Sequence, residues 1–215
     1  MCAQDRHESA ARGRREAVWE SIPPGLEPAG FARRLRALLE HVEPGTRVLD
    51  VGCGEGRFAA ALAQAGARVV GIDVAEEPLR RARARHPGLE LRRVGEGEAW
   101  PFEGSSFDLV WAGEVIEHVA DTAAWLSELR RVLRSGGSLL LSTPETGRLE
   151  LLGAALRGRA FARRFDPLGD HLRFYSRATL SRLIEEFGFH DVQVRSLGRL
   201  PGRRGLWLHA VRSRF

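Results

Sequence analysis

The stretch VLDVGCGEGRF, residues 48–58, decides the fold. Its apolar start predicts a short buried strand, which runs into a glycine loop that opens a helix at Gly56. Gly52 and Gly54 allow the backbone to approach a ligand closely, as in the first unit of doubly wound α/β sheets. A dinucleotide-binding loop would read G-x-G-x-x-G, and Arg57 stands here at the position of the third glycine. The loop therefore indicates a doubly wound fold whose ligand is not a dinucleotide.

Acidic residues around the loop indicate the charge of that ligand. Asp50 lies two residues before the first glycine and Glu55 lies inside the loop, so a pyrophosphate here would meet carboxylates. Asp73 ends the next predicted strand, where doubly wound folds place the acid that binds the ribose hydroxyls. Together these residues predict an adenosine that carries a positive charge, which describes S-adenosylmethionine. The alternative is that Asp73 only caps the turn that follows it.

Strands and helices alternate outward from this loop. The spacing predicts a Rossmann-like doubly wound α/β fold with helices on both faces of a seven-stranded mixed sheet, in which a final hairpin supplies the antiparallel pairing. The predicted strands cover residues 46–51, 67–74, 89–94, 107–113, 138–144, 189–197 and 205–213, and the predicted helices cover residues 6–20, 29–41, 56–66, 78–86, 121–134 and 177–187.

A chain of 215 residues is expected to form one domain of ordinary size. We divide it into an N-terminal helical segment, a Rossmann-like cofactor-binding core, an irregular substrate lid or insertion, and a C-terminal helix and hairpin that complete the same domain. These parts cover residues 1–43, 44–144, 145–175 and 176–215.

The basic residues exclude several enzyme classes. All 33 are arginine, so the chain has no lysine for a Walker A loop, a kinase site or a Schiff base. The formal net charge is only +5, and residues 145–215 carry the positive excess while the predicted core is net acidic. This distribution is unlike that of a nucleic-acid-binding module with one dominant basic helix, so no nucleic-acid partner is expected.

The cysteines and the N-terminal segment indicate a location. Cys2 and Cys53 offer no disulfide framework and no paired metal ligands. The first residues lack the apolar segment of a signal peptide, and no apolar stretch is long enough to span a membrane. A cytoplasmic protein is therefore expected.

Four stretches together resemble the successive motifs of class I S-adenosylmethionine-dependent methyltransferases, and the similarity is to the ubiquinone-biosynthesis O-methyltransferase branch that acts on small molecules. They read VLDVGCGEGRF, VVGIDV, VGEGEAWPFEGSSFDLVWAGEVIEHV and LRRVLRSGGSLLLSTP, and HLRFYSRATLSRLIEEFGF extends the similarity through the last helix. The resemblance implies S-adenosyl-L-methionine as cofactor. It also implies contacts with the methionine part, the ribose, the adenine and the sulfonium end from Asp50, Gly52, Cys53, Gly54, Asp73, Val74, Glu96, Gly97, Gly113 and Glu114.

The segment GEVIEHV, residues 113–119, allows two interpretations. Glu114, Glu117 and His118 form an E-x-x-E-H triplet, a plausible ligand set for a divalent cation, and the resembling ubiquinone-pathway enzymes use such a triplet for a metal. In relatives without a metal the same residues shape the substrate floor. His171, in GDHLRFYS, and His118 are candidate catalytic bases, and the alternative is that they only form structural hydrogen bonds.

The acceptor of the methyl group is expected to be a small molecule, because no appended recognition domain is visible, and oxygen is the expected acceptor atom. A D/N-P-P-Y motif is missing after the fourth strand, which disfavours adenine or glutamine amide methylation. The alternatives are a methyltransferase of a macromolecule and a non-catalytic module that binds S-adenosylmethionine. Residues 149–165, apolar and arginine-rich, are a candidate for peripheral membrane contact, substrate binding or a lid.

Overall fold

A computed structural model describes residues 15–164, 166, 169, 171–198 and 205–213. The helices are α1 (residues 15–21), α2 (Phe31–Leu39), α3 (Arg57–Gln64), α4 (Glu76–Arg85), α5 (Thr122–Val132), α6 (Arg148–Ala155), α7 (Gly158–Arg164) and α8 (Arg177–Glu186). The strands are β1 (Arg47–Val51), β2 (Arg68–Asp73), β3 (Glu90–Arg93), β4 (Phe107–Gly113), β5 (Leu133–Pro144), β6 (Phe189–Leu197) and β7 (Gly205–Arg212). A short 3₁₀ turn covers Ile116–His118.

One seven-stranded sheet has the order β3-β2-β1-β4-β5-β7-β6. The first five strands pair in parallel, and β7 pairs antiparallel with both β5 and β6, as the sequence predicts. The strand order changes direction between β1 and β4, because β2 and β3 lie on one side of β1 while β4 and β5 lie on the other. An open α/β sheet binds its ligand in the crevice at such a point, at the carboxyl ends of the strands. The sheet thus brings the ends of β2, β1 and β4 side by side.

Two apolar layers hold helices against opposite faces of the sheet. Leu49 and Val110 are buried on one face with the apolar residues of α5 and α8. The neighbours Val48 and Leu109 are buried on the other face with α2 and α3, because successive strand side chains alternate between faces. Helices on both faces explain why β1 and β4 are buried along almost their whole length.

A row of contacting aromatic rings links α2 to the distant strand β7. The ring centroids of Phe31 and Phe58 are 4.8 Å apart, those of Phe58 and Trp111 are 5.2 Å apart, and those of Trp111 and Trp207 are also 5.2 Å apart. These separations lie in the favourable range for aromatic pairs. This row of rings fixes α2 and the start of α3 relative to the strands that carry the site.

Two expectations about local structure are wrong. β5 begins at Leu133, not at residue 138, since Leu133 pairs with Phe107 before an irregularity that precedes the ladder from Ser138. Gly136, at φ 72°, lies in this irregular part of the strand. Residues 145–175 are not wholly irregular, because α6 and α7 form there, in a stretch rich in leucine, alanine and arginine.

The predicted N-terminal helix is confirmed only over the residues that the structure describes. Residues 15–21 are helical, and the remainder of the predicted helix 6–20, together with Cys2, lies outside the described residues. Among the described helices, each is too short or too polar to cross a bilayer.

Candidate functional site

The glycine loop forms a cradle at the end of β1. Gly52 and Gly54 have φ values of 68° and 53°, a left-handed conformation that side chains rarely adopt. A Cβ atom at Gly52 would lie 2.5 Å from the Val115 side chain, so the loop also has no room there. The amides of Gly52 and Cys53 both donate to the carbonyl of Ile72, at 2.8 and 3.0 Å. These bonds attach the loop to the end of β2.

Asp50 lies beneath this cradle and is 2% exposed. Its carboxylate accepts a hydrogen bond from the Ala59 amide, and among the described residues its Oδ2 atom has no hydrogen-bond partner. Burial, helped by the nearby charge of Asp73, raises the pKa of Asp50 to about 7. A positive charge brought close to this carboxyl would favour its ionised form.

Asp73 joins β2 to the loop. Its Oδ2 accepts from the Gly54 amide at 2.9 Å and its Oδ1 accepts from the Ala75 amide at 3.0 Å. Burial raises the pKa of Asp73 although these bonds oppose the shift. The side chain therefore does cap the following turn, and it also supports the glycine loop. Each carboxylate oxygen keeps lone-pair capacity for a further donor such as a hydroxyl.

The role expected for Glu55 in the loop is wrong. Its carboxylate points to the protein's own cations, since Arg81 Nη1 lies at 3.3 Å and Arg85 Nη1 at 2.6 Å, and the Gly25 amide donates at 2.9 Å. Burial favours a raised pKa for Glu55, but the hydrogen bonds from Arg85, Gly25 and Arg81 outweigh it and lower the pKa. Glu55 therefore gives no information about the ligand's charge.

At the end of β4, the partly exposed side chain of Glu114 contacts two buried polar residues, Arg34 and Ser142. Its Oε1 accepts from Ser142 Oγ at 2.8 Å and lies 3.5 Å from Arg34 Nη1. Arg34 also donates to the Ala29 carbonyl at 2.8 Å, and its guanidinium lies over the Phe58 ring. Glu114 has φ 59°, a strained conformation for a residue with a side chain. The strain and the buried cation mark this position as built for a specific contact.

The turn after β4, residues 116–120, receives hydrogen bonds from two other segments of the chain. The Glu117 carbonyl accepts from the amides of Leu172 and Arg173, at 2.8 and 3.2 Å. Arg15 donates to the His118 carbonyl at 2.6 Å. The Arg173 guanidinium donates to the carbonyls of residues 119 and 120. Four successive carbonyls of this turn are therefore occupied by other segments of the chain.

Three side chains converge beside this turn. Ligand atoms of Glu117, His118 and His171 lie within 4.8 Å of one another, and the two imidazole rings are 4.9 Å apart and nearly perpendicular. Glu117 is 1% exposed, and Thr143 Oγ1 donates to its Oε2 at 2.9 Å. Burial, together with the charge of Glu114, raises the pKa of Glu117 to about 8. The predicted metal set is brought together only in part, because the carboxylate of Glu114 faces Arg34.

The remaining predicted contacts surround the same edge. Glu96 accepts from the Ala120 amide at 3.3 Å, which joins the loop after β3 to the turn 116–120. The side chain of Cys53 is buried, so this residue can contact a ligand only through its backbone. Burial also raises the pKa of its thiol well above the ordinary value. Val74 is half-buried at the end of β2, Gly97 follows Glu96, and Gly113 ends β4.

Comparison with known proteins identifies the family. Residues 49–141 match the family described as a methyltransferase domain. A ubiquinone biosynthesis O-methyltransferase of Dinoroseobacter shibae is 36% identical over 162 residues, which are 71% of this chain and 63% of that protein. A malonyl-[acyl-carrier protein] O-methyltransferase of Erwinia billingiae is 36% identical over 197 residues, which are 87% of this chain and 73% of that protein. The chain belongs to the S-adenosylmethionine-dependent methyltransferases.

A solved structure shows that the fold of this methyltransferase is that of the family. An S-adenosylmethionine-dependent methyltransferase from Mesorhizobium loti superposes with a TM-score of 0.66 at 24% identity, over 86% of this chain and 98% of that one. The chain spans 62 to 63% of the length of three curated relatives, including two ubiquinone biosynthesis O-methyltransferases.

The residues of the methyltransferase cradle fit S-adenosylmethionine. A cationic cofactor suits the buried Asp50 carboxyl, whose Oδ2 atom has no partner among the described residues. The site therefore offers a buried carboxyl group suited to the positive charge of the family's cofactor.

Sequence reasoning missed several residues of this site. Arg34 carries a usable signal, since it lies three residues after Phe31 and four before Leu38 and thus on the apolar stripe of α2. An arginine in such a stripe indicates a buried polar partner. Arg15 carries no such signal, because it lies in a polar segment and its bond to the His118 carbonyl spans 103 positions of the sequence.

Proposed function

We propose that this chain transfers a methyl group from S-adenosylmethionine to an oxygen of a small-molecule acceptor. The observation that carries the proposal is the pair of sites at one edge of the sheet. The glycine cradle over a buried Asp50 lies at the end of β1, and the group of Glu117, His118 and His171 follows the neighbouring strand β4. The two relatives described above are both named as O-methyltransferases, which supports oxygen as the acceptor atom.

The cofactor half of the site binds and orients. When bound, S-adenosylmethionine supplies an electrophilic methyl group on a sulfonium. In our proposal the backbone of residues 52–54 approaches the methionine part, Asp73 accepts from the ribose hydroxyls, and Glu96 with Gly97 lies beside the adenine. Gly113 and Glu114 close the sulfonium end. Asp50 lowers the free-energy cost of holding a cation there, because its carboxyl ionises more easily next to a positive charge.

The acceptor half of the site holds and removes a proton. In the proposal, the imidazole of His118 or of His171 accepts the proton of an acceptor hydroxyl while the methyl group transfers in line. Glu117 holds its own proton at neutral pH, since its pKa is raised to about 8, so it is able to donate a hydrogen bond to an acceptor oxygen. Alignment of the nucleophile in a dry pocket supplies a further part of the rate.

The segment 145–175 is proposed as the acceptor lid. Its end brings His171 to His118, since the amides of Leu172 and Arg173 bond to the turn 116–120. The proposal assigns cofactor binding to residues 44–144, while residues 1–43 and 176–215 complete the same domain.

Calorimetry and a methylation assay test the proposed function. We expect S-adenosylhomocysteine to bind the wild-type chain and to bind the Asp73→Ala variant at least tenfold more weakly, because two hydrogen bonds of the loop and the ribose contact are lost. A panel of phenols, quinols and carboxylic acids then tests methyl transfer. Absence of binding to both the donor and its demethylated product at millimolar ligand would sink the proposal.

The proposed base has its own test. A phenol or alcohol must lose a proton, whereas a carboxylate is already a nucleophile, so His171→Ala should slow transfer to hydroxyl acceptors far more than transfer to carboxylates. Transfer only to a protein, a carrier protein or a nucleic acid would instead favour a macromolecular substrate. Binding without transfer to any acceptor would favour a non-catalytic module.

Metal binding at Glu114, Glu117 and His118 stays a prediction. Chelator-treated protein should then take up Mg²⁺ or Zn²⁺ in calorimetry, and the Glu117→Gln variant should not. Heat changes that are equal for the two proteins would contradict a metal at this turn.

A further inference from the structure

Residues 15–25, here named the clasp, cross the carboxyl edge of the sheet. Arg15 donates to the His118 carbonyl, which follows β4. The carboxylate of Glu16 accepts from the amides of Glu76 and Glu77, at 2.6 and 3.1 Å, in the first turn of the helix that follows β2. Because β1 lies between β2 and β4, the clasp reaches both sides of the glycine loop.

The middle of the clasp lies directly on that loop. A Cβ atom added to Gly54 would lie 2.9 Å from Cη2 of Trp19 and 3.1 Å from its Cζ2. The indole ring thus contacts the backbone at one of the two cradle glycines. The charge of Arg15, at the start of the clasp, lies close enough to Asp73 to oppose in part the rise that burial causes in the pKa of that carboxyl. Two side chains of the clasp therefore adjoin residues that the proposed function assigns to the cofactor.

The two ends of the clasp are attached in different ways. At its far end, Arg81 donates to the carbonyls of Trp19 and Ile22, at 3.0 and 2.8 Å, and Glu55 accepts from the Gly25 amide. The side chains of Arg81 and Glu55 are 9% and 5% exposed. At the other end, the side chains of Arg15 and Glu16 are only half-buried, and the bond that Glu16 accepts from the Glu76 amide is exposed. The remaining bonds at both ends are partly buried.

This asymmetry identifies the end that opens. Charged contacts at the surface stabilise weakly and break first, whereas buried and mutually bonded ion pairs hold their geometry. The far end, fixed by Glu55 and Arg81, is therefore the hinge. Release of Arg15 and Glu16 would lift the start of the clasp from both sides of β1 without disturbing the sheet.

We propose that residues 15–25 are a hinged clasp over the S-adenosylmethionine site, with Trp19 and Arg15 as cofactor-positioning residues and Glu55–Arg81 as the hinge. The proposal rests on the proposed function for the identity of the cofactor. In it, the cofactor enters and the demethylated product leaves while the clasp is open, and closure places the indole and the guanidinium against the bound molecule.

A matched pair of variants tests the hinge. Arg80 and Arg81 both bond to Glu77, but only Arg81 reaches the clasp. Arg81→Gln should weaken S-adenosylhomocysteine binding about tenfold, because the clasp loses charge-assisted bonds that hold it over the site. Arg80→Gln should leave the affinity unchanged. Equal affinities for the two variants and the wild type would overturn the hinge.

Arg81→Gln also removes a buried ion pair and could therefore impair folding. Two variants in the clasp itself test the proposal independently of that ion pair. Trp19→Ala and Arg15→Gln change residues near the surface of the clasp and should each raise the dissociation constant of S-adenosylhomocysteine several-fold with circular dichroism unchanged. The loss should appear mainly as faster dissociation in stopped-flow fluorescence, since the clasp acts after binding.

Hydrogen exchange provides a readout that needs no turnover. In the wild type, S-adenosylhomocysteine should slow amide exchange in residues 15–25, and it should leave the exchange of α8 unchanged. The slowing should vanish in Arg81→Gln and persist in Arg80→Gln. Binding without any change in the exchange of residues 15–25 would refute the clasp and leave the proposed function intact, whereas no binding at all refutes the proposed function itself.

Discussion

The buried carboxyl of Asp50 makes the free energy of unfolding of the chain depend on pH. Its pKa is about 7 in the folded protein and near the ordinary 3.8 when exposed, so between about pH 4 and 7 the folded state holds a proton that the unfolded state has released. The free energy of unfolding therefore falls as the pH rises through this window. The total effect is up to roughly 4 kcal/mol.

Replacement of Asp50 by asparagine should flatten this dependence. Asparagine is neutral at every pH and keeps an oxygen to accept from the Ala59 amide. Urea unfolding at several pH values between about 4 and 8 measures the difference between the wild type and Asp50→Asn. A slope that is the same in both proteins would show that another group carries it.

Cofactor binding should release protons near neutral pH, because a sulfonium favours the ionised form of Asp50. Calorimetric enthalpies in two buffers of different ionisation enthalpy measure the number of protons. The Asp50→Asn protein should release fewer protons than the wild type, and equal release would assign them to another group.

The cradle glycine also has a matched test at the residue scale. Gly52 and Gly45 both have positive φ, but a Cβ atom meets nothing within 4 Å at Gly45 and lies 2.5 Å from Val115 at Gly52. Gly45→Ala should cost about 1 kcal/mol for backbone strain alone, and Gly52→Ala about 1 to 3 kcal/mol more for the collision. Thermal unfolding compares the two, and equal losses would show that Val115 moves aside freely.

At the scale of elements, the sequence was sufficient wherever the signal was local. The alternation of apolar strands with helices predicts the sheet, its closing hairpin and the glycine loop, because each depends on neighbouring residues. The start of β5 was missed because the Ser-Gly-Gly of residues 135–137 is typical of a turn and not of an irregular strand. The prediction that Glu55 faces the ligand was wrong, because folding brings Arg81 and Arg85 to its carboxylate.

The acceptor side was the least predictable part for the same reason. His171 approaches His118 only through the bonds that Leu172 and Arg173 make with a turn some fifty residues earlier. The clasp likewise depends on contacts of Arg15 and Glu16 with residues 60 or more positions away. Neither pattern leaves a periodicity in the sequence that would reveal it.

The contact between the lid and the turn 116–120 has a functional consequence. Arg173 donates to the carbonyls of residues 119 and 120, so Arg173→Gln should loosen His171 from His118. We expect the transfer rate to fall at least tenfold while the affinity for S-adenosylhomocysteine stays within about twofold. Arg182→Gln, which changes an exposed arginine that pairs with Glu186 within α8, is the control. Equal rates for both variants would contradict the positioning of His171 by Arg173.

At the scale of the molecule, the positive excess in residues 145–215 meets an exposed apolar surface. Leu152, Leu156 and Phe161, in and beside α6 and α7, are 57%, 80% and 46% exposed, and Arg157 and Arg159 lie among them. Apolar side chains interleaved with arginines suit the surface of an anionic membrane. Peripheral membrane contact through residues 149–165 stays a prediction.

Flotation with anionic vesicles tests it. The triple variant Leu152→Ser/Leu156→Ser/Phe161→Ser should bind vesicles at least tenfold more weakly than the wild type, because each side chain loses its transfer free energy. Leu26→Ser, which changes a leucine that is 61% exposed elsewhere, should bind as the wild type does. A wild type that fails to float at low salt would exclude the contact.

The occupied carbonyls of the turn 116–120 also bear on how new acceptor specificities arise in this fold. Because segments of the chain itself already bond to the carbonyls of residues 117–120, the main chain there is a fixed frame. In the proposed function, the side chains of His118 and His171 then meet the acceptor on this frame. Substitutions at these two positions should therefore change methyl transfer without loss of the fold, whereas insertions in the turn should not be tolerated.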